Sequence, residues 1–175
     1  MGKTNGINFR KIIWVSLERI FHLIKIIQKD YYLLWFLDFA HFFAKKKIPK
    51  PFNYIIKLII ELPYTIIVQW FLNIDIPCTT NIGKGFQLYH GHGTVINSKC
   101  IIGDYVKIRH NTTIGNTKKN GKCPIIGSYV DIGSNSVIIG EILVGDNVKI
   151  GALTLVNKDV SANATVVGIP FKIIS

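Results

Sequence analysis

Acidic residues are scarce in this 175-residue chain: ten Asp and Glu stand against 21 Lys and Arg, a formal net charge of +11. That balance favours an anionic partner, either nucleic acid or a membrane surface. Nucleic acid is set aside, because the basic residues are interleaved with large aliphatic ones and no nucleic-acid motif appears. Cysteine is scarce too. Cys78, Cys100 and Cys123 are odd in number and lack metal-ligand spacing, which points to free thiols in a reducing compartment. Long apolar runs are missing. The longest uncharged stretch of the first half, Leu62 to Ile74, has a proline at its second position and falls short of the about 20 residues a membrane-spanning helix needs. No tripartite signal peptide is recognisable.

What is present divides the chain in two. Residues 1–73 carry fifteen of the twenty aromatic residues, Trp14, Trp35 and Trp70 among them, and eleven Lys and Arg against four Asp and Glu. Ile13, Leu17, Ile20, Ile24 and Ile27 fall on one helical stripe, with Glu18, His22, Lys25 and Lys29 opposite. A second apolar segment follows from Tyr31 to Ala44. KKKIPKP at 45–51 predicts a loop, a third segment runs from Phe52 towards Leu62, and Pro63 predicts a break before Tyr64 to Leu72. A basic, aromatic, amphipathic region of this kind suits attachment to a membrane surface. Packing of the apolar faces on one another or at a subunit interface is the competing expectation.

Residues 74–175 follow a beat of six. Ile102, Ile108 and Ile114 keep it, and it resumes at Ile126, Ile132, Ile138, Val144, Ile150, Val156 and Ala162. Glycine follows at 103, 115, 127, 133, 145 and 151, where it is expected to supply backbone angles closed to other residues. Neither a helix nor a single strand has a period of six, whereas a short strand plus a turn, wound round a triangular prism, does. The expected fold is mainly β, a parallel β-helix of hexapeptide repeats after a helical N-terminal region. Earlier, Ile82 and Leu88 keep the spacing, but Ile96 comes two residues late, so the turn Tyr89–His90–Gly91–His92 carries an insertion. A second irregularity, NTKKNGKCP at 116–124, predicts an extruded loop. Insertions in solenoids gather on the binding face, so these are the first places to seek function.

Of five histidines, His22 and His41 are most simply structural. His90, between Tyr89 and Gly91 at the register break, is placed to be held out from a coil edge. At this point a resemblance becomes specific. DIPCTTNIGKGFQLYHGHGTVI at 75–96, IIGDYVKIRHNTTIGN at 101–116 and TVVGIPFKII at 165–174 resemble the left-handed β-helix of serine acetyltransferases and, more closely, of the colanic-acid type of exopolysaccharide O-acetyltransferase. The resemblance implies a left-handed helix, a homotrimer with active sites between subunits, and acetyl-CoA as donor. It implies direct transfer to a hydroxyl, with His90 as catalytic base and Asp75, fifteen residues earlier, as its partner. The chemistry agrees: a neutral imidazole takes the hydroxyl proton during attack on the thioester, and a carboxylate on the other ring nitrogen fixes its tautomer.

Two departures bear on the acceptor. The residue before the base is Tyr89 where serine acetyltransferases have aspartate, and the residue before Pro124 is Cys123 where they have a second histidine. Both differences argue against serine, and the flat face of Tyr89 suits a sugar ring. Tyr89, His92 and Cys123 form the expected substrate-binding set. The resemblance implies a cofactor-binding set of Ser134, Gly151, Ala152, Lys158 and Lys172, small residues admitting the pantetheine arm and lysines meeting phosphate. The function expected is transfer of acetyl to a sugar in surface-polysaccharide synthesis, in the cytoplasm at the inner face of a bacterial plasma membrane. Serine O-acetyltransferase is the alternative. A zinc enzyme of the γ-carbonic anhydrase type is disfavoured, since the spacing of His90, His92 and His110 does not match that family, and no metal is expected. A non-catalytic scaffold is the remaining class.

Overall fold

The computed structural model describes residues 36, 37, 39, 40, 55 and 57–174. The stripe from Ile13 to Ile27, the loop at 45–51, and both His22 and His41 lie outside them. Residues 57–71 form one helical run: wide turns over Lys57–Glu61, an α turn at Leu62–Tyr64, and wide turns again over Thr65–Phe71. Pro63 therefore does not break the helix as its sequence position predicts. It sits at the start of the α turn, between two stretches of wide turns, and the run passes through it with one N–H fewer to bond. The run is anchored by one buried face. The Tyr64 hydroxyl donates to the Ile76 carbonyl at 2.6 Å, and Tyr64 and Val68 share a core cluster with Ile74, Ile76 and Leu88. Burial pushes the Tyr64 phenol well above its ordinary range, with Cys78 and Asp75 adding to the effect.

The remainder is the expected left-handed parallel β-helix. Its first side holds β1 (Asn81–Ile82), β4 (Ile101–Ile102), β7 (Ile125–Ile126) and β10 (Leu143–Val144). The second holds β2 (Gln87–Tyr89), β5 (Lys107–Arg109), β8 (Asp131–Ile132), β11 (Lys149–Ile150) and β13 (Thr165–Val167). The third holds β3 (Val95–Ile96), β6 (Thr113–Gly115), β9 (Val137–Ile139) and β12 (Leu155–Val156). All pairings among these are parallel, and β14 (Lys172–Ile173) turns back antiparallel on β13. Ile82 pairs with Ile102, Ile102 with Ile126, Ile126 with Val144, and Val144 bridges Val160, so successive coils take 20, 24, 18 and 16 residues. Three hexads make the regular coil of 18. The first excess is the turn at His90 and the second is the loop at 116–124.

The last coil corrects the sequence reading. Ala162 is exposed, and the inward residue is Val160, 3% exposed. The final corner is two residues short, so strict counting by six overshoots. The glycines also act differently from expectation. Gly103, Gly127 and Gly145 do not have positive φ; instead a Cβ on Gly103 would lie 2.6 Å from the Gly127 backbone, and one on Gly145 2.5 Å from the Ala162 amide. Glycine is required by the close approach of stacked coils. The left-handed positions fall on other residues, among them His90, Tyr105, Asn111, Tyr129, Asn135, Asn147, Leu153 and Asn163.

Inside, Ile108, Ile114, Ile132, Ile138, Val144 and Val156 are fully buried, each contributing roughly 1.5–3 kcal/mol. A second set, two residues before these, fills the corners. Val106, Val130 and Val148 line the corner between first and second sides, and Thr94, Thr112, Ser136 and Thr154 the corner between second and third. These buried hydroxyls are satisfied by backbone: Thr112 donates to the Arg109 carbonyl at 2.8 Å, Ser136 donates to the Gly151 carbonyl at 2.9 Å, and Thr154 accepts from the Gly168 amide at 3.1 Å.

Candidate active site

The hydroxyl-lined corner carries the candidate residues. The turn at 90–93, two residues longer than its successors, leaves β2 and enters β3. It is held by backbone bonds: His92 N–H to His90 O at 2.6 Å, Thr94 N–H to Gly91 O at 3.1 Å, and Asn111 N–H to His92 O at 2.9 Å. His90 has φ 53° and is exposed. Among the described residues nine other non-glycine residues share that conformation, so the backbone angle alone does not mark a site. What sets His90 apart is the lengthened turn.

Asp75 lies on the coil before. It bridges Val95 in parallel; its N–H donates to Thr94 O and its carbonyl accepts from Ile96 N–H, both at 2.8 Å. Asn73 O accepts from Gly93 N–H at 2.8 Å, and His92 Nδ1 lies 3.2 Å from the Leu72 carbonyl. The His90 turn and the segment 72–75 are therefore docked edge to edge. Both the imidazole and the carboxylate are exposed, and among the described residues no hydrogen bond joins them. His92 has one ring nitrogen engaged at the helix end. Tyr89 is exposed beside the turn, its hydroxyl donating to Gln87 at 2.8 Å. In the next register position Arg109 pairs with Asp131 at 2.5 Å and donates to the Ile132 carbonyl at 3.3 Å.

Cys123 is in a different setting. It is buried near Cys100, whose own thiol donates to the Ile114 carbonyl. Burial first, then Cys123, pushes the Cys100 thiol up to about 12. Further along the His90 corner, Ser134 and Ala152 occupy successive coils: Leu153 N–H donates to Ser134 O at 3.0 Å, and a Cβ on Gly133 would strike the Ala152 amide. A Cβ on Gly151 would lie 2.7 Å from Val167, whose strand pairs with Lys172. Ser134, Gly151, Ala152 and Lys172 thus form one column of close-packed coils ending in a lysine. Lys158 is not in it; it is exposed at the corner leading to Val160. Among the described residues no group of three or more His, Cys, Asp or Glu is arranged to hold a metal ion. The sequence reading missed Arg109 and the buried hydroxyl ladder, although the ladder shows as Thr94, Thr112, Ser136 and Thr154 two residues before each inward aliphatic.

No protein-family model matches the chain. It is 40% identical over 106 residues to the Escherichia coli K12 protein named for colanic acid biosynthesis acetyltransferase, WcaB, covering 60% of this chain and 65% of that protein. It is 36% identical over 143 residues to a serine acetyltransferase of Bacillus pumilus, covering 81% of this chain and 62% of that protein. Among solved structures, serine acetyltransferase of Brucella abortus in complex with coenzyme A superposes with TM-score 0.69 and 32% identity over 85% of this chain and 57% of that one. The chain spans less than two thirds of the length of these relatives. In sequence and fold it is similar to the hexapeptide-repeat acetyltransferases.

Proposed function

We propose that this chain, so closely similar to hexapeptide-repeat acetyltransferases, is an O-acetyltransferase that moves acetyl from acetyl-CoA to a sugar hydroxyl in capsule or exopolysaccharide synthesis. The observation that carries the reading is the docking of the lengthened His90 turn on the segment bearing Asp75, through Asn73 to Gly93 and Asp75 to Val95. In this proposal His90 is the general base. It takes the acceptor hydroxyl proton as the oxygen attacks the thioester carbonyl, and passes it to the departing CoA thiolate. Asp75 orients the imidazole and stabilises its charged form. Such a base typically contributes 10²–10⁴-fold.

The column of Ser134, Gly151 and Ala152 is proposed to receive the pantetheine arm, because these three residues carry small side chains or none on stacked coils. Lys172 and Lys158 are proposed for the phosphates. Tyr89 and His92 are assigned to the acceptor side. The buried Cys123 is left out of it.

We further propose residues 1–73 as a membrane-facing region preceding a catalytic domain at 74–175, and a homotrimer with sites between subunits, at the cytoplasmic face of a membrane. No helix among the described residues is long and apolar enough to cross a bilayer. The outer face of the helical run supports surface attachment: Leu58, Ile59, Leu62, Ile66, Trp70 and Phe71 are all exposed, Phe71 at 86%.

Serine O-acetylation is the second reading, favoured by the several similar proteins named serine acetyltransferase. Tyr89 and Cys123 weigh against it. Release of free CoA thiol from acetyl-CoA separates the two: the proposal predicts acceleration by glycan acceptors and none by L-serine, and the reverse result overturns it.

A further inference from the structure

Between Asp75 and the base of the 116–124 loop, the outer face of the third side hollows into a groove of about 370 Å³, within the size range of small-molecule sites. Its polar lining is Asp75, Asn97, Ser98, Thr113 and Asn116, beside the half-exposed Val95. The two amides are braced: Asn97 donates to Asn116 at 3.2 Å and accepts from the Lys99 amide at 2.9 Å, while Asn116 donates to the Lys118 carbonyl at 2.5 Å. Each still has unused hydrogen-bonding capacity. The Ser98 and Thr113 hydroxyls make no hydrogen bond among the described residues.

The charge content decides what fits. Asp75 is the sole ionisable lining residue; no Lys, Arg or His lines the groove. A free amino acid presents an ammonium, which Asp75 could pair, and a carboxylate, for which no cation lines the groove, so one of its two charges would be left without a partner. A sugar ring presents neutral hydroxyls, matched by a carboxylate, two amides and two hydroxyls, and a C–H face matched by valine. The dimensions suit one or two rings. Asp75 also places the groove next to the proposed base, since Val95 pairs with Asp75 and follows the His90 turn.

We propose that this groove is the acceptor subsite and takes a neutral hexopyranose unit rather than a free amino acid; the acceptor role rests on the acetyl-transfer reading above. Saturation-transfer NMR on the full chain, with the methyl glycosides of glucose, galactose and mannose and with L-serine as probes, tests it. At least one glycoside receives saturation, and L-serine receives none. The double variant S98A/T113V, which deletes two unpaired outward hydroxyls, and T113L, which fills the groove, each lower that signal at least threefold, with circular dichroism and calorimetric acetyl-CoA binding unchanged. Absence of transfer to all three glycosides overturns the inference, as does a signal indifferent to both variants or binding of serine that T113L abolishes. Failure of acetyl-CoA to bind the wild-type chain would instead strike the catalytic proposal, and the glycoside result would still decide the groove.

Discussion

A methyl group at Gly103 has nowhere to go: it would meet the Gly127 carbonyl carbon and oxygen at 2.6 Å, backbone that is itself fixed by the next coil. Gly103→Ala is therefore expected to cost about 1–3 kcal/mol, as overpacking does, seen as a lower melting temperature. Leu153 is the opposite case. It is exposed, with φ 56°, in a conformation that disfavours most side chains by roughly 1–2 kcal/mol and that asparagine tolerates. Leu153→Asn should raise the melting temperature, and a fall would show that the leucine makes a contact outside this chain. Tyr105 and Tyr129 sit in the same strained conformation but stack at 5.1 Å between centroids, which offsets part of the cost. At Cys100 the thiol lies at about 12 in the fold against an ordinary 9.0. Above the ordinary value the unfolded chain releases this proton and the folded one holds it, so stability falls as pH rises from 9.0 towards about 12. Cys100→Val should flatten that part of the pH–stability curve measured by chemical denaturation, and an unchanged slope would assign it elsewhere.

Elements tell what the sequence disclosed and what it concealed. Inward aliphatics repeat every six residues because each side of the prism contributes one, so the solenoid was legible from Ile102 to Val156. Both insertions were legible as breaks in the beat. The final corner was not, because Val160 and Ala162 are both small and apolar and only the pairing of Val160 with Val144 chooses between them. The reason for glycine was misassigned for a related cause: one chain's local pattern does not reveal that stacked coils leave no room for a Cβ. Pro63 misled because the helical run continues through it between two stretches of wide turns, an accommodation that the local sequence does not supply. The helical run makes a prediction of its own. Its buried face is taken by Tyr64 and Val68, leaving the opposite apolar stripe exposed. Ile66→Glu with Trp70→Glu should weaken co-sedimentation with anionic phosphatidylglycerol vesicles at least several-fold, as loss of interfacial aromatic and aliphatic burial requires. Equal sedimentation would put the stripe against protein.

For the whole molecule, the candidate site was legible in part. The insertion at His90 was visible as a register break, and Asp75 as its proposed partner came from resemblance. The edge-to-edge docking of their segments depends on coil stacking between residues 20 apart, as in Asp75 on Val95 and Asn73 on Gly93, which a beat of six does not encode. The grouping of Ser134, Gly151, Ala152 and Lys172, and the separation of Lys158 from them, likewise follow from which corner each occupies. A groove on one face and a lengthened turn beside it set apart the side that we propose for the acceptor. The most direct measurement is the rate of acetyl transfer from acetyl-CoA by wild-type chain and by His90→Ala, each checked for a native circular dichroism spectrum. A fall of at least about 10²-fold with folding intact is the predicted result; transfer at the wild-type rate without the imidazole would contradict the account.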